Sequence, residues 1–501
     1  MNAAPDPRPH SVRRSVSAAF GLLLLGLGVS WLWWAGEIAV ALRDPALAGP
    51  APAQQSWRWH RALTPAFAAW AQQRRGDPAV ARLPLQDIAG TEWPLFGAVF
   101  YLRATENLDR AWAEAPHGPR PAEYARAAID AAADLLADPA QSGWVQRHWG
   151  ADDYLRRENV FFRMLLIDAL ATQWRLTGRT PHATLLRTQV ESFAAELAQS
   201  STGLLADYPG QTFPADVAAA WHAIRRADPV LGTDHAGQMT AGLRAFRGAL
   251  APELGLPPYA WFGEGDPEPT EVRGCANAWL LHHAPFLWPA QARDWQQRHA
   301  GLFWQRGRWF AGYREFARGS GDEWYADVDS GPVIAGLGTS ATAFGLGAAR
   351  SVAADAQAEA IALQMVALSW PLPNGRLLLP RLLSDASDAP LLGEAAIVYN
   401  LSQPAAPGFT AEPVKERRVP WIVWLMLVVL LGMGGASISC STSRASVAAA
   451  RLPTPSPEPS SPPPKPVSIS PGCTRLTRTP RAFTSRSSEW LKPASPCLLA
   501  T

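Results

Sequence analysis

Apolar runs recur along the chain at long, similar intervals, and a short polar segment rich in turn-forming residues precedes each run. In the clearest example, a loop from Tyr208 to Asp216 leads directly into a run of small residues that ends at Trp221. The polar starts are 53 to 66 residues apart, which is the length of a helix pair plus a loop. The pattern therefore predicts an all-α fold, an (α/α)6 toroid of six helical hairpins. The markers of the six starts are Glu92, Glu158, Gln211, Glu271, Asp329 and Leu392.

The run after each marker predicts the inner helix of a hairpin, and a second helix lies outside it. The inner helices are predicted over 96–102, 157–176, from 214 onward, 274–283, 331–349 and 394–401. The outer helices are predicted over 57–75, 122–136, 180–199, 233–250 and 353–368. Alternating aromatic and polar residues from Trp304 to Phe316 predict a short β-hairpin. The Gly-, Pro- and acid-rich segment from Pro257 to Pro269 predicts a long loop, and such loops often carry function.

Two uncharged apolar stretches flank this region. At ~1.5 Å per residue, Val16–Gly36 and Val419–Ile438 are both long enough to span a bilayer. After the second stretch, the Pro- and Ser-rich composition is typical of a disordered segment. The predicted organisation is a cytoplasmic N-terminus (1–15), a transmembrane helix or uncleaved signal anchor (16–42), the toroid domain (55–410), a transmembrane helix (419–438) and a disordered tail (439–501).

Basic residues next to the apolar stretches predict the orientation in the membrane. Arg13 and Arg14 place the N-terminus in the cytoplasm, so the main domain faces the periplasm or exterior from the inner membrane. The basic residues of 415–418 favour the opposite orientation, whereas those of the tail, from Arg444 onward, favour the first. A cleaved signal peptide is the alternative for the first stretch, because Ala46–Ala48 resembles a cleavage site.

Composition excludes several classes of function. A net charge of +2 gives no basis for nucleic-acid binding. Of the four Cys, only Cys275 lies in the predicted domain, which excludes a disulfide framework there. His282 and His283 are adjacent and would not face one metal from a helix. We therefore predict no metal and no cofactor, and the 23 Trp favour core packing over a sugar-binding role.

Acidic residues stand at the predicted loop-to-helix junctions, which in a toroid converge on one end of the barrel. Acid/base chemistry needs two carboxylates in different environments, although acidic residues at helix starts are also common as caps. The candidate catalytic residues are Asp216, Asp329, Glu158 and Glu92. The candidate substrate-binding residues are Tyr208, Gln211, Trp93, Asn159, Glu271, Arg273, Tyr325 and Asp327.

The segment from Glu158-Asn-Val-Phe-Phe-Arg to Gly178, with the following segment from Gly203 to Trp221, resembles the linalool dehydratase/isomerase family. The resemblance is best over 152–221 and implies an (α/α)6 toroid, shared with the six-hairpin glycosidases, with acid/base chemistry on a small terpene alcohol in a central pocket. At the positions that match two Cys and a His of the family, this chain has Ala206, Ala215 and Leu165. The resemblance therefore implies the fold and the position of the pocket.

Two functions remain open from the sequence. One is a carboxylate acid/base enzyme, a hydrolase or lyase, that acts on a glycan or a small alcohol, including terpene-like chemistry with replaced residues. The other is a non-catalytic binding or assembly module of the envelope with the same aromatic cleft. Carboxylates that meet in an open cleft favour the enzyme, and carboxylates that only cap their own helices favour the binding module.

Overall fold

The computed structural model describes residues 8–116, 118–150, 153–251, 253–263, 268–320, 324–387, 389–410 and 418–450. The chain forms two compact units, Met1–Ala448 and Ala449–Thr501, and the contacts reported below lie in the first. Of the second unit, only the last two residues of a helix are described. The predicted N-terminal segment up to residue 7 and the tail from 451 lie outside the described residues.

Helices dominate the described part of the chain, as the hydrophobic pattern predicts for an all-α protein. In the first half they are α1 (Arg8–Ala41), α2 (Gln54–Arg74), α3 (Ile88–Thr91), α4 (Trp93–Glu114), α5 (Pro121–Tyr124), α6 (Arg126–Ala137), α7 (Pro139–Trp149), α8 (Val160–Thr177) and α9 (Ala183–Gln199). In the second half they are α10 (Pro214–Leu231), α11 (Ala236–Phe246), α12 (Gly274–Leu287), α13 (Pro289–Phe303), α14 (Thr339–Ser351), α15 (Asp355–Ser369), α16 (Leu378–Ala386), α17 (Leu392–Ser402) and α18 (Trp421–Ala450).

Six of these helices pack side by side in chain order. Each of α4, α8, α10, α12 and α14 packs against the next of the series, and α17 packs against α14 and also against α4. A second helix packs on each of the six: α6, α9, α11, α13 and α15 pack on α4, α8, α10, α12 and α14, and α2 packs on α17. The first and last of the six helices, α4 and α17, are therefore in contact, although residues 115–391 separate them in the chain.

Local sequence explains where several of these helices begin and end. Pro94 and Pro214 stand in the first turn of α4 and α10, where proline sacrifices no backbone hydrogen bond. Gly178 and Gly232 follow α8 and α10 with φ values of 73° and 69°, the left-handed conformation that ends a helix most readily at glycine. Four large Trp side chains are fully buried in the core, in agreement with the predicted packing role: Trp59, Trp144, Trp221 and Trp295.

Within the described ranges, eight short strands form three small antiparallel sheets. One sheet joins β1 (Gln211–Thr212), β2 (Trp261–Phe262) and β3 (Glu268–Pro269), and a second joins β4 (Trp304–Arg306) to β5 (Ala311–Tyr313), which confirms the predicted hairpin. The third joins β6 (Tyr325–Asp327), β7 (Gly331–Ile334) and β8 (Leu337–Gly338).

The third sheet corrects the predicted start of the fifth inner helix. Residues 331–338 were predicted as helix because they are small and apolar, but α14 begins only at Thr339. Gly331 has a φ of 61°, Ala335 has a φ of 52° and Pro332 offers no N–H, so this segment turns back twice as a strand. Asp329 therefore lies in the turn between β6 and β7, rather than at a helix start.

Among the residues that the structure describes, two helices are long and apolar enough to cross a membrane. The spans are Ala18–Ala41 of α1 and Trp421–Ser443 of α18. Both match the predicted stretches at their domain-side ends. The second helix continues to Ala450, twelve residues beyond the end predicted at Ile438. The first twelve residues of the predicted disordered tail are therefore helical.

Candidate active site

Polar side chains from three separate loops meet where the packed helices begin. The hydroxyl of Tyr208, in the loop before α10, donates a hydrogen bond to Oε1 of Glu92, the residue before α4, over 2.7 Å. In the first turn of α10, Asp216 Oδ1 accepts a hydrogen bond from Nε1 of Trp279 on α12 over 2.8 Å. Asp329, in the β6–β7 turn, acts electrostatically on both Glu92 and Asp216. The structure thus brings together three of the four predicted catalytic residues. We call these three residues and Asp207 the acidic cluster.

Glu92 has a strongly shifted ionisation. Burial and, to a smaller extent, the charges of Asp329 and Asp216 together raise the pKa of its carboxyl to about 8, while the hydrogen bond from Tyr208 opposes the shift. Glu92 precedes α4 but makes no capping hydrogen bond to that helix. Its carboxyl is therefore protonated at neutral pH and free of a helix-capping role.

Asp207 and Asp216 form a carboxyl pair. Asp207 is fully buried, and its Oδ2 accepts a hydrogen bond from the N–H of Phe213 over 2.7 Å. The two carboxyls lie within hydrogen-bonding reach of each other, and such a contact requires that one of them carries a proton. Burial raises the pKa of Asp207 well above its usual range and raises the pKa of Asp216 to about 7. Asp207 is therefore the proton donor of the pair.

Asp329, in the β6–β7 turn, is exposed to solvent. The hydroxyl of Tyr259 donates a hydrogen bond to its Oδ2. Desolvation raises the pKa of the carboxyl, the Tyr259 hydrogen bond opposes this shift, and the negative charge of Asp327 adds to it. Asp329 thus lies at an edge of the site that solvent reaches, which we call the rim, whereas Asp207 is buried away from solvent.

Arg273 supports this rim from the start of α12. Its guanidinium pairs with Glu315 over 2.8 Å and with Asp327 over 2.9 Å, and lies 4.3 Å from the ring centroid of Tyr259. Burial opposes ionisation of Asp327, but the positive charge of Arg273 holds the pKa of Asp327 below its ordinary value. Burial, with the charge of Glu315, raises the pKa of the Cys275 thiol well above its usual range, so this thiol is neutral.

Aromatic rings lie beneath the acidic cluster. Phe96 and Phe100, one and two turns into α4, approach the Trp279 ring with centroid distances of 5.9 Å and 6.2 Å. Phe161, on α8, lies 5.1 Å from Phe96 and 5.9 Å from the ring of Tyr208. We call these five rings the aromatic floor. An apolar floor under protonatable carboxyls keeps the dielectric low, which strengthens the shifts described above.

Charged and imidazole groups lie deeper along the same helices. His222 and His283 contact each other through their Nδ1 atoms over 2.9 Å, and His283 also meets the Trp279 ring at 4.4 Å. Burial, with a smaller effect of Arg103, lowers the pKa of His222 well below its usual range, so the pair is neutral. Farther along, Arg226 pairs with other buried charges. This layer is separated from the acidic cluster by the aromatic floor.

The fourth candidate catalytic residue lies apart from the acidic cluster. Glu158 and Asn159 precede α8 with φ values of 36° and 55°, a strained conformation for residues with side chains. The N–H of Glu158 donates to Glu196 Oε2 over 2.6 Å, and Asn159 Nδ2 donates to the carbonyl of Tyr154 over 3.1 Å. Desolvation raises the pKa of Glu158, and a hydrogen bond from the backbone of Ala206, the residue before Asp207, opposes the shift. The backbone of Glu158 is thus bound to outer helix α9, and its carboxyl to the loop before α10.

The remaining candidate binding residues differ in their contacts and in their exposure to solvent. Tyr325 donates to Asp327 Oδ2 over 2.8 Å. Gln211 lies in β1, where its carbonyl accepts the N–H of Asp207 over 2.8 Å. Trp93 is the half-buried first residue of α4. Glu271 is exposed before α12.

Sequence reasoning missed Asp207, Tyr259 and Trp279 as members of the site. Asp207 directly precedes Tyr208 in the loop that the sequence singled out, and Tyr259 lies in the predicted functional loop from Pro257 to Pro269. Trp279 carries no local signal, because its role depends on which face of α12 points toward α10. Only the packing of the two helices shows it.

Neither a search against protein-family models nor a search of curated proteins found a match to this sequence. Within the described ranges, no group of three or more His, Cys, Asp or Glu side chains is arranged to hold a metal ion.

Proposed function

We propose that the chain is a membrane-anchored envelope enzyme with an (α/α)6 toroid domain, in which Glu92 and Asp216 act as acid and base on a glycan or a small alcohol. The reaction class is hydrolysis or elimination at a carbon–oxygen bond. The observation that carries the proposal is the meeting of Glu92, Asp216 and Asp329, from three separate segments of the chain, where burial and the charges of Asp216 and Asp329 raise the pKa of Glu92.

The toroid part of the proposal rests on helix packing. The six inner helices contact one another in chain order and the sixth contacts the first, while a second helix packs on each. This is the contact pattern of a closed double ring of helical hairpins. The resemblance to the linalool dehydratase/isomerase family over 152–221 supports the same architecture.

The absence of capping by Glu92 favours an enzyme over a binding module. Glu92 makes no side-chain hydrogen bond to the start of α4, and Asp216 gives its carboxyl oxygen to Trp279 on another helix. Partly buried acids that do not cap a helix cost desolvation free energy without stabilising the start of the helix. Such a cost is typical of groups whose protonation is used.

In the proposed reaction, Glu92 starts protonated and gives its proton to the oxygen of the leaving group as the carbon–oxygen bond breaks. In a hydrolysis, Asp216 takes a proton from the attacking water. In an elimination, Asp216 takes a proton from the neighbouring carbon, and the electron pair of that C–H bond forms the double bond. A base with a pKa of about 7 is suited to this role near neutral pH. Asp207 keeps its own proton and orients Asp216.

The test is a turnover screen in which full-length protein in detergent or nanodiscs is offered oligosaccharides and small tertiary and allylic alcohols. We expect turnover of a member of one panel, with Glu92→Gln lowering kcat by about 10²- to 10⁴-fold, the usual contribution of a general acid. Glu191→Gln, which changes an exposed acid on outer helix α9 and none of the candidate site residues, is the control and should leave turnover unchanged. Binding of a panel member without turnover by the wild type would favour the binding module. Equal turnover by Glu92→Gln would overturn the assignment of the acid.

The proposed placement is the inner membrane, with the domain on the exterior side. Two apolar helices support it, as do Arg13, Arg14 and the basic residues from Arg444 onward, which would lie in the cytoplasm. Alkaline phosphatase fused after residue 410 should be active in a bacterial host, and a fluorescent protein fused at the same point should be dark. The reverse result would invert the orientation.

A further inference from the structure

The two candidate membrane helices lie antiparallel to each other. Ser441 donates a hydrogen bond to the carbonyl of Gly21 over 2.8 Å, and a Cβ atom added to Gly434 would lie 2.7 Å from the side chain of Leu32. Positions early in α1 therefore meet positions late in α18, and the reverse. As a result, the end of α1 and the start of α18 reach the domain on the same side.

Tryptophans join both helix ends to the domain. Nε1 of Trp33 donates to the carbonyl of Pro371 over 2.9 Å, and Trp34 stacks on Trp370 with a centroid distance of 5.4 Å. At the other helix, Trp421 meets Trp309 of the β4–β5 turn at 5.7 Å. Tryptophan is enriched at the boundary between lipid and water, where its ring is buried and its N–H can be satisfied.

Next to this junction lies α16, a helix whose leucines face away from the protein. Leu378 N–H donates to the carbonyl of Trp370 over 3.2 Å, so α16 starts directly at the ring that stacks on α1. Ser384 is buried and accepts the N–H of Gly393 on α17 over 2.8 Å, whereas Leu382 and Leu383 are 53% and 63% exposed. Pro380 and Ser384 thus face the core, whereas Leu382 and Leu383 face outward beside the exposed ion pair of Arg381 and Asp385.

The β4–β5 turn forms a second apolar projection at the same junction. Trp309 and Phe310 are 46% and 45% exposed. The turn is fixed to α18 through its backbone, because the carbonyls of Arg308 and Trp309 accept the N–H groups of Trp421 and Ile422 over 3.1 Å and 3.2 Å. Its position relative to the second membrane helix is therefore set.

We propose that α16 and the β4–β5 turn form a membrane-docking surface, which seats the domain against the phospholipid leaflet that α1 and α18 cross. The inference rests on the proposed membrane anchoring. Lipid is the occupant because both candidate spans contact the domain at this surface and carry exposed apolar side chains of their own near it, at Leu32, Val40, Trp424 and Leu425. An outward amphipathic face beside an aromatic belt is the arrangement of an interfacial helix.

Photocrosslinking in native membranes tests the proposal with the full chain. A benzophenone amino acid is placed at Leu383, at Phe310, at Leu22 of α1 and at Ile334, and crosslinked phospholipid is measured by mass spectrometry. Leu383 and Ile334 form a matched pair, because they are 63% and 66% exposed but Ile334 belongs to β7, outside both α16 and the β4–β5 turn. We expect lipid adducts from Leu22, Leu383 and Phe310, and at least tenfold fewer from Ile334.

The four positions separate the possible failures. Lipid adducts at Leu22 without adducts at Leu383 and Phe310 would overturn the docking surface and leave the anchoring intact. An absence of lipid adducts at Leu22 as well would overturn the anchoring on which the inference rests. Equal labelling at Ile334 and Leu383 would show contact without a preferred face, and would also overturn the docking surface.

Discussion

Tyr208 donates a hydrogen bond to Glu92 over 2.7 Å, although the two residues lie 116 positions apart in the chain. The bond joins the loop before α10 to the start of α4 across α8. It also supplies a hydrogen-bond donor to the carboxyl of Glu92, and so links the packing of separate helices to the protonation of a single acid.

The ionisation of Glu92 makes stability depend on pH. Its pKa is about 8 in the folded chain against an ordinary value of 4.5, so folding favours the protonated form. The stability from this group is fully present below pH 4.5 and is lost as the pH rises through about 8. We expect Glu92→Gln to remove this part of the decline. Thermal unfolding of both proteins from pH 4.5 to 9 measures it, and parallel curves would contradict the shifted pKa.

Removal of the Tyr208 hydroxyl should shift this profile. The hydrogen bond favours the charged form of Glu92, so Tyr208→Phe should raise the pKa of Glu92 above about 8. A hydrogen bond to a charged group contributes about 1.5–3 kcal/mol, which corresponds to a shift of about one to two pH units. The midpoint of the stability decline reports the shift. Tyr325→Phe is the control, because that hydroxyl bonds Asp327 and should leave the midpoint in place.

The proton shared by Asp207 and Asp216 predicts a difference between two substitutions. Asp207→Asn retains a donor toward Asp216 and an acceptor for the N–H of Phe213. Asp207→Ala loses both and leaves a buried N–H without its partner, which costs about 1–3 kcal/mol. We expect the Asn variant to remain near wild-type stability and the Ala variant to fall by that amount in chemical unfolding. Equal losses would argue against a protonated Asp207.

The buried charges below the aromatic floor should be essential for folding. Arg226 lies against Glu106 and Asp168 with little exposure to solvent. Arg226→Met leaves these acids without that partner, and breaking a buried pair in this way costs about 3–5 kcal/mol. Denaturant unfolding gives the change. Arg187→Met, at an exposed pair with Glu191 over 3.6 Å, is the control, and its effect should stay within about 1 kcal/mol.

The sequence predicted most helices because their pattern is local. The inner helices after Glu92, Gln211 and Glu271 begin within three residues of these markers, because proline, turn residues and the first apolar residue stand together there. The prediction was wrong between 331 and 338, where small residues suit a helix and a close-packed strand alike. Positive φ values in this segment turn the chain so that it forms strands, and the composition of the segment does not indicate these turns.

What the sequence alone determined is the helical class, the two long apolar spans and the acids that stand near loop-to-helix junctions, since each depends on neighbours within a few turns. Only the tertiary structure decided that Glu92, Asp216 and Asp329 come together and that the backbone of Glu158 is bound to α9. It also decided that Asp207 and Trp279 belong to the site. The reason is physical. A pKa depends on burial and on charges brought close by packing, and no interval along the chain encodes the distance between two helices that meet across a core.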